Sequence, residues 1–204
     1  MRLLATRLTI ICFVVTLLAG CVAKQVKPQE QTATVETLVV PPIKPEDQPR
    51  MKALEEAMQS GDLQLAEGLA TELIRDYPNH PALHINLGAI DIRLEQFQAA
   101  LEHLEIGCRM NSSTPYCPLF EGQALLGLAK YDEAEKAYQR ALKLDPNSLY
   151  AHYGLGVIYD LYIIDYDKAE EHYDQFLNNA GDDVPATEIK RVTLWKKLLK
   201  RKSS

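Results

Sequence analysis

Pro115–Ser148 reads PYCPLFEGQALLGLAKYDEAEKAYQRALKLDPNS, and its pattern decides the architecture of the chain. It holds two amphipathic helical segments separated by one tight turn, and Asp145-Pro146 closes the second. The unit recurs. A shift of about 34 residues aligns Phe97-Gln98-Ala99-Ala100 with Tyr131-Asp132-Glu133-Ala134 and Tyr166-Asp167-Lys168-Ala169, with a weaker copy at Leu63-Gln64-Leu65-Ala66. The alanines at 66, 100, 134 and 169 are therefore spaced by 34, 34 and 35 residues. A lone helix pair cannot bury its apolar face, so units of this kind fold by stacking on their neighbours. Pairs are expected over 49–59 with 63–76, 81–93 with 97–110, 115–128 with 131–144 and 149–162 with 166–179. Ser60-Gly61-Asp62 and Asp76-Tyr77-Pro78 supply the turn and the stop of the first pair.

Leu87-Gly88 and Leu155-Gly156 with Tyr159 on first helices, and Ala134, Tyr138 and Pro146 with Ala169 and Tyr173 on second helices, resemble the tetratricopeptide-repeat pattern. The small residues have a steric reason, since Gly or Ala at a crossing lets two helices approach to the short end of the usual range of about 8–10 Å. The chain departs from the pattern where Asp91 replaces Tyr, Ser112 replaces the closing Pro, and Ala53-Leu54 stands for Leu-Gly. The resemblance implies an all-α tetratricopeptide-repeat α-α superhelix of about four helix pairs plus a C-terminal capping helix. It also implies a concave face, lined by first helices, that holds a peptide or a partner's helix. Carried over from the family, the groove slots fall on Met51, Glu55, Ile85, Asn86, Ala89, Leu119, Gln123, Tyr153 and Val157, with Tyr116, Tyr150, Arg93 and Asp160 at the edges. Members that grip chaperone tails use a cluster of Lys, Arg and Asn on a terminal carboxylate, and Asn86 and Arg93 are what this chain keeps of it. An apolar, tyrosine-rimmed groove is instead suited to an apolar or amphipathic segment. Tyrosine and leucine at helical spacing are also core residues, and that reading stays open for several of these positions.

At 204 residues, 47% hydrophobic and 25% charged, the composition is that of an ordinary globular chain. Residues 51–189 carry nine Lys or Arg against 24 Asp or Glu, whereas 190–202 carry seven basic side chains and no acid. An acidic body argues against nucleic acid as a partner, because that ligand requires a basic footprint.

Residues 1–20 read as a signal peptide: Arg2 and Arg7, an apolar run of 11 residues from Leu8 to Leu18, then Leu18-Ala19-Gly20-Cys21. The run is too short to cross a bilayer as a helix, which takes about 20 residues. The tetrad resembles the bacterial lipobox, which implies acylation of Cys21, and Val22 after it implies sorting to the outer membrane. Residues 21–50 form a lipidated Pro-rich tether (Pro28, Pro41, Pro42, Pro45, Pro49), extended and semi-stiff, in which Thr34–Val40 is open to strand pairing. The repeat array occupies 51–182, and a basic amphipathic helix occupies 183–204, with Ile189, Val192, Trp195, Leu198 and Leu199 at helical spacing. That helix is read as the cap of the array, and its basic outer face as suited to anionic headgroups or an acidic partner. The apolar turn between Asp160 and Asp165, one residue longer than its counterparts, is expected to pack beneath it, with an exposed docking patch as the other reading.

Cys108 and Cys117 flank the turn between two helices, a placement that favours a disulfide in an exported chain. His84 and His152 occupy one repeat slot and His103 and His172 another, which suits packing; His80 with His84 makes a pair and not a zinc site. No phosphate loop, nucleophile elbow or Cys-x-x-Cys occurs, so neither catalysis nor a cofactor or metal has support. The chain is thus expected to be a lipid-anchored adaptor at the periplasmic face of the outer membrane, recruiting an envelope protein through its groove. It is similar in plan to pilotins of type IV pilus secretins and to adaptors of envelope enzymes or motors.

Overall fold

The computed structural model describes residues 40, 42–111, 113–182 and 184–202, and every regular element among them is helical. The leader, the lipidation site Cys21 and the tether up to Val39 lie outside the described residues. A 3₁₀ turn at Pro45–Asp47 leads into α1 (Gln48–Ser60), α2 (Leu63–Asp76), α3 (Pro81–Arg93), α4 (Phe97–Met110), α5 (Tyr116–Gly127) and α6 (Tyr131–Leu144). Then follow α7 (Leu149–Ile158), a π turn at Tyr159–Ile163, α8 (Tyr166–Asn179) and α9 (Ala186–Lys202).

Local chemistry accounts for the helix ends. Asp62 and Asp165 cap α2 and α8, accepting from the N–H of Leu65 and Lys168, 3.2 Å each. Pro81 opens α3, where a missing N–H costs nothing. The helices α1, α3 and α5 end alike. Gly61 (φ 81°), Glu95 (φ 61°) and Ala129 (φ 58°) turn left-handed. The next residue's N–H then returns to the carbonyl five back: Asp62 to Ala57, 3.0 Å, Gln96 to Asp91, 2.8 Å, and Lys130 to Leu125, 2.9 Å. In the fourth pair one extra residue turns the end of α7 into the π turn, Ile164 takes the left-handed role (φ 62°), and the Asp165 N–H reaches back six residues to Tyr159, 2.9 Å. The insertion is absorbed without unseating α8.

Leu161, Tyr162, Ile163 and Ile164, expected to pack beneath the C-terminal helix, are exposed instead. The cause is that α9 packs along α8 and leaves this turn to solvent. Tyr162 stacks on Tyr131 with ring centroids 3.7 Å apart.

Helices pair as α1 with α2, α3 with α4, α5 with α6 and α7 with α8; each second helix also packs on the next first helix, and α3, α5 and α7 touch in sequence. This is an α-α superhelix. The repeated alanines at 66, 100, 134 and 169 are all 0% exposed, as a crossing point demands. Tyr138 sets the register between the last two pairs. Its ring is wedged so closely between α5 and α7 that a Cβ on Gly122 would lie 2.8 Å from it and one on Gly154 only 2.4 Å. The apolar interior falls into two clusters, one built from α1–α3 with Tyr77 and one running from α5 to α9. Between them α4 and α5 are bonded through Cys108 and Cys117, with Cα atoms 5.7 Å apart.

A candidate partner-binding groove

The first helices carry the side chains that the repeat pattern assigns to a concave face, and they meet in two hollows. The first, about 610 Å³, lies between α1 and α3. It is lined by Met51, Glu55, Asn86 and Arg93 of the family's groove slots and by Gln48, Lys52, Leu54, Met58 and Gln59. The second, about 310 Å³, gathers Gln123, Tyr150 and Tyr153 with Phe97, Leu126, Gly127 and Tyr138. Phe97 comes from the start of a second helix, and no slot rule for first helices would find it. Tyr116 is exposed and stacks on Phe120, 6.0 Å between centroids. Ala89 and Val157 are half-buried on α3 and α7.

Three expected groove residues are placed elsewhere. Ile85 is buried because Gly107 on the paired helix leaves room for it: its Cγ1 sits 2.8 Å from where a Cβ on that glycine would stand. Leu119 belongs to the core shared by α5–α9. Asp160 is buried in the π turn, where the wider turn rotates it inward, and it accepts from the Tyr173 hydroxyl at 3.5 Å.

The electrostatics of the first hollow differ from those of a carboxylate clamp. Arg93 donates from Nη1 to the Met58 carbonyl, 2.9 Å, so its guanidinium satisfies the C-terminal end of α1. Behind the hollow, Tyr77 donates its hydroxyl proton to Asp47, 2.5 Å, and accepts from the Lys44 N–H, 3.0 Å. The Tyr77 hydroxyl first, and Arg50 second, hold the Asp47 carboxyl below its ordinary range. Arg50 also reaches Asp76 at 2.7 Å, which pins the entering chain to the end of α2.

The histidines serve the repeat. His84 donates from Nε2 to the Pro78 carbonyl at 2.9 Å, and His152 does the same to Pro146 at 3.0 Å, so one slot repeats one bond. His172 meets His152 through their Nδ1 atoms at 3.0 Å, and burial, then the neighbouring His152, pushes it down to about 4. His80 and His103 are also lowered by burial. Asp91, 2% exposed in the slot where the repeat pattern has Tyr, is pushed up to about 6 by burial and then by Glu67. Its Oδ2 lies 3.9 Å from His103 Nε2. Burial favours the neutral form of both groups, so this contact gains little as an ion pair. Among the described residues no group of three or more His, Cys, Asp or Glu can hold a metal ion.

Two stretches match models of known repeats: 52–113 that of "Tetratricopeptide repeat" and 122–160 that of "TPR repeat". The chain is 26% identical over 136 residues to tetratricopeptide repeat protein 37 of Xenopus laevis, covering 66% of this chain and 9% of that protein. It spans less than a tenth of the length of the curated relatives it matches. Among solved structures, a thermophilic TPR protein of Thermus thermophilus superposes with a TM-score of 0.64 at 19% identity, over 74% of this chain and 81% of that one. The first TPR of Spaghetti (RPAP3), bound to the HSP90 peptide SRMEEVD, gives 0.52 at 26% identity, over 55% and 90%.

Proposed function

We propose that this chain, a tetratricopeptide-repeat protein, is a non-catalytic adaptor that binds an apolar or amphipathic segment of a cell-envelope protein in the groove of its first helices. One observation carries the reading: Met51, Glu55, Asn86 and Arg93 line one hollow and Gln123, Tyr150 and Tyr153 another, all on first helices of the array. A structurally similar TPR domain holds a peptide. Here Arg93 is engaged with the Met58 carbonyl; the second hollow is lined by Phe97, Leu126 and tyrosines, which suits apolar side chains, and the first sets Met51, Leu54 and Met58 among Gln48, Lys52, Glu55, Gln59 and Asn86, which suits an amphipathic segment. The Leu18–Cys21 tetrad and the Pro-rich tether support a lipid anchor that holds the array at the periplasmic face of an outer membrane. In this reading the anchor sets location, the tether reach, and the groove the choice of partner.

Photocrosslinking tests the proposal. A benzophenone amino acid at Gln59 or Tyr150, on the two hollows, is expected to capture one envelope protein in growing cells, while the same group at Lys136, exposed on α6, captures none. Capture from Lys136 alone, or from no position, contradicts it.

A further inference from the structure

The two faces of α9 are chemically unlike. Inward, Val192 and Leu199 are buried, Trp195 lies 5.9 Å from the ring of Tyr153 and 6.0 Å from that of Tyr173, and Lys196 is paired with Asp174. Outward, Leu194 is 54% exposed and Leu198 36%. Residues 190, 194, 197 and 201 recur every three or four positions and 198 lies four beyond 194, which places Lys190, Leu194, Lys197, Leu198 and Arg201 on one stripe, with Arg191 beside it. Among the described residues no carboxylate pairs with Lys190, Arg191, Lys197 or Arg201.

A helix that only caps an array needs a polar outer face, and mixed charges serve solubility there. This one instead exposes two leucines among four cations, with no acid anywhere from Ile189 to Lys202. Leucines flanked by cations suit an interface where apolar side chains enter the acyl boundary while Lys and Arg stay with headgroup phosphates. A nucleic acid would use the cations and gain nothing from the leucines. The rest of the array, with nine basic and 24 acidic side chains over 51–189, is repelled by an anionic surface, so an approaching molecule presents α9 first.

We propose that the outer stripe of α9 is a membrane-docking surface for anionic phospholipid, independent of the groove and of any acyl group at Cys21. Each cation near such a surface strengthens binding by about fivefold. The attachment is weak and reversible, which fits a second contact that orients the array on a bilayer.

Co-sedimentation of the full chain carrying Cys21→Ser with vesicles tests it, using phosphatidylcholine alone or with phosphatidylglycerol. The leader, with its apolar run and its Arg2 and Arg7, is the same in every variant, so the stripe is read from the difference between each variant and its parent on the same vesicles. Binding is expected to be stronger on the anionic vesicles and to fall with added salt. Lys190→Gln, Lys197→Gln and Arg201→Gln together are expected to lower the anionic component on the order of 100-fold. A second variant, Leu194→Ser with Leu198→Ser, is expected to lower it with the charges intact, and exposure of all five side chains predicts unchanged helicity by circular dichroism. Equal binding to both vesicles, or anionic binding unaltered in either folded variant, overturns the proposal. Retention on heparin without vesicle binding overturns it too and assigns the stripe to a polyanionic macromolecule.

Discussion

Tyr138 shows how one side chain joins two repeats. It is the large residue of its own second helix, yet its ring lies against Gly122 of its own pair and Gly154 of the next. Gly154→Ala would place a methyl group 2.4 Å from a ring that Gly122 already bounds on the other side. Overpacking of this kind costs about 1–3 kcal/mol, and the urea midpoint is expected to fall accordingly. Shrinking the ring with Tyr138→Leu removes buried ring surface but frees the space, so the double variant is expected to lose less than the sum, by about 0.5–3 kcal/mol. Strictly additive losses would mean that the ring and the glycine do not share the crossing. Gly156, whose missing Cβ leaves room for the ring of Tyr173 within the same pair, was legible from the repeat pattern. That Tyr138 reaches across to a second helix was not, since reach depends on where the next pair sits.

At the scale of elements, the joint between α7 and α8 titrates. Burial, and then the contact with His152, leaves His172 at about 4 in the folded chain against its ordinary 6.5. Between these values the unfolded chain binds a proton that the folded one refuses. The stabilisation is therefore full above pH 6.5 and is lost as pH falls toward 4. His80 and His103 act in the same direction. Asp91 opposes them, because at about 6 it takes up its proton before the unfolded carboxyl does. With three groups against one, urea stability is expected to decline from pH 6.5 to 4.5. His172→Gln is expected to flatten that slope by up to about 1.4 kcal/mol per pH unit, the value for one proton; an unchanged slope would remove the pair as its source. That the histidines recur in two repeat slots followed from the repeat spacing; that His152 meets His172 did not. Nor did the depressed basicity of His103 and His172, because burial is set by the neighbouring helices.

Over the whole array, the division of the interior into two clusters puts weight on the α4–α5 junction, where Cys108 and Cys117 are joined. The bond closes nine residues of chain, which limits its contribution to about 2–3 kcal/mol in the loop-entropy account. Reduction is expected to lower the thermal midpoint and to separate one transition into two, the cluster of α1–α3 melting first because it is the smaller. A single transition that does not move on reduction contradicts this. The sequence alone determined the helix pairs, their period, the turn and stop of the first pair and the alanines at the crossings, because each is a demand made within a turn or between neighbours about 34 residues apart. Only the tertiary structure decided that Ile85, Leu119 and Asp160 face inward, that the apolar turn at Leu161–Ile164 faces solvent, and that the groove splits into two hollows. A helical slot gives an angle about one axis; whether that direction meets water or a neighbour depends on the bulk of the residue opposite, such as Gly107, and on the rotation added by one inserted residue.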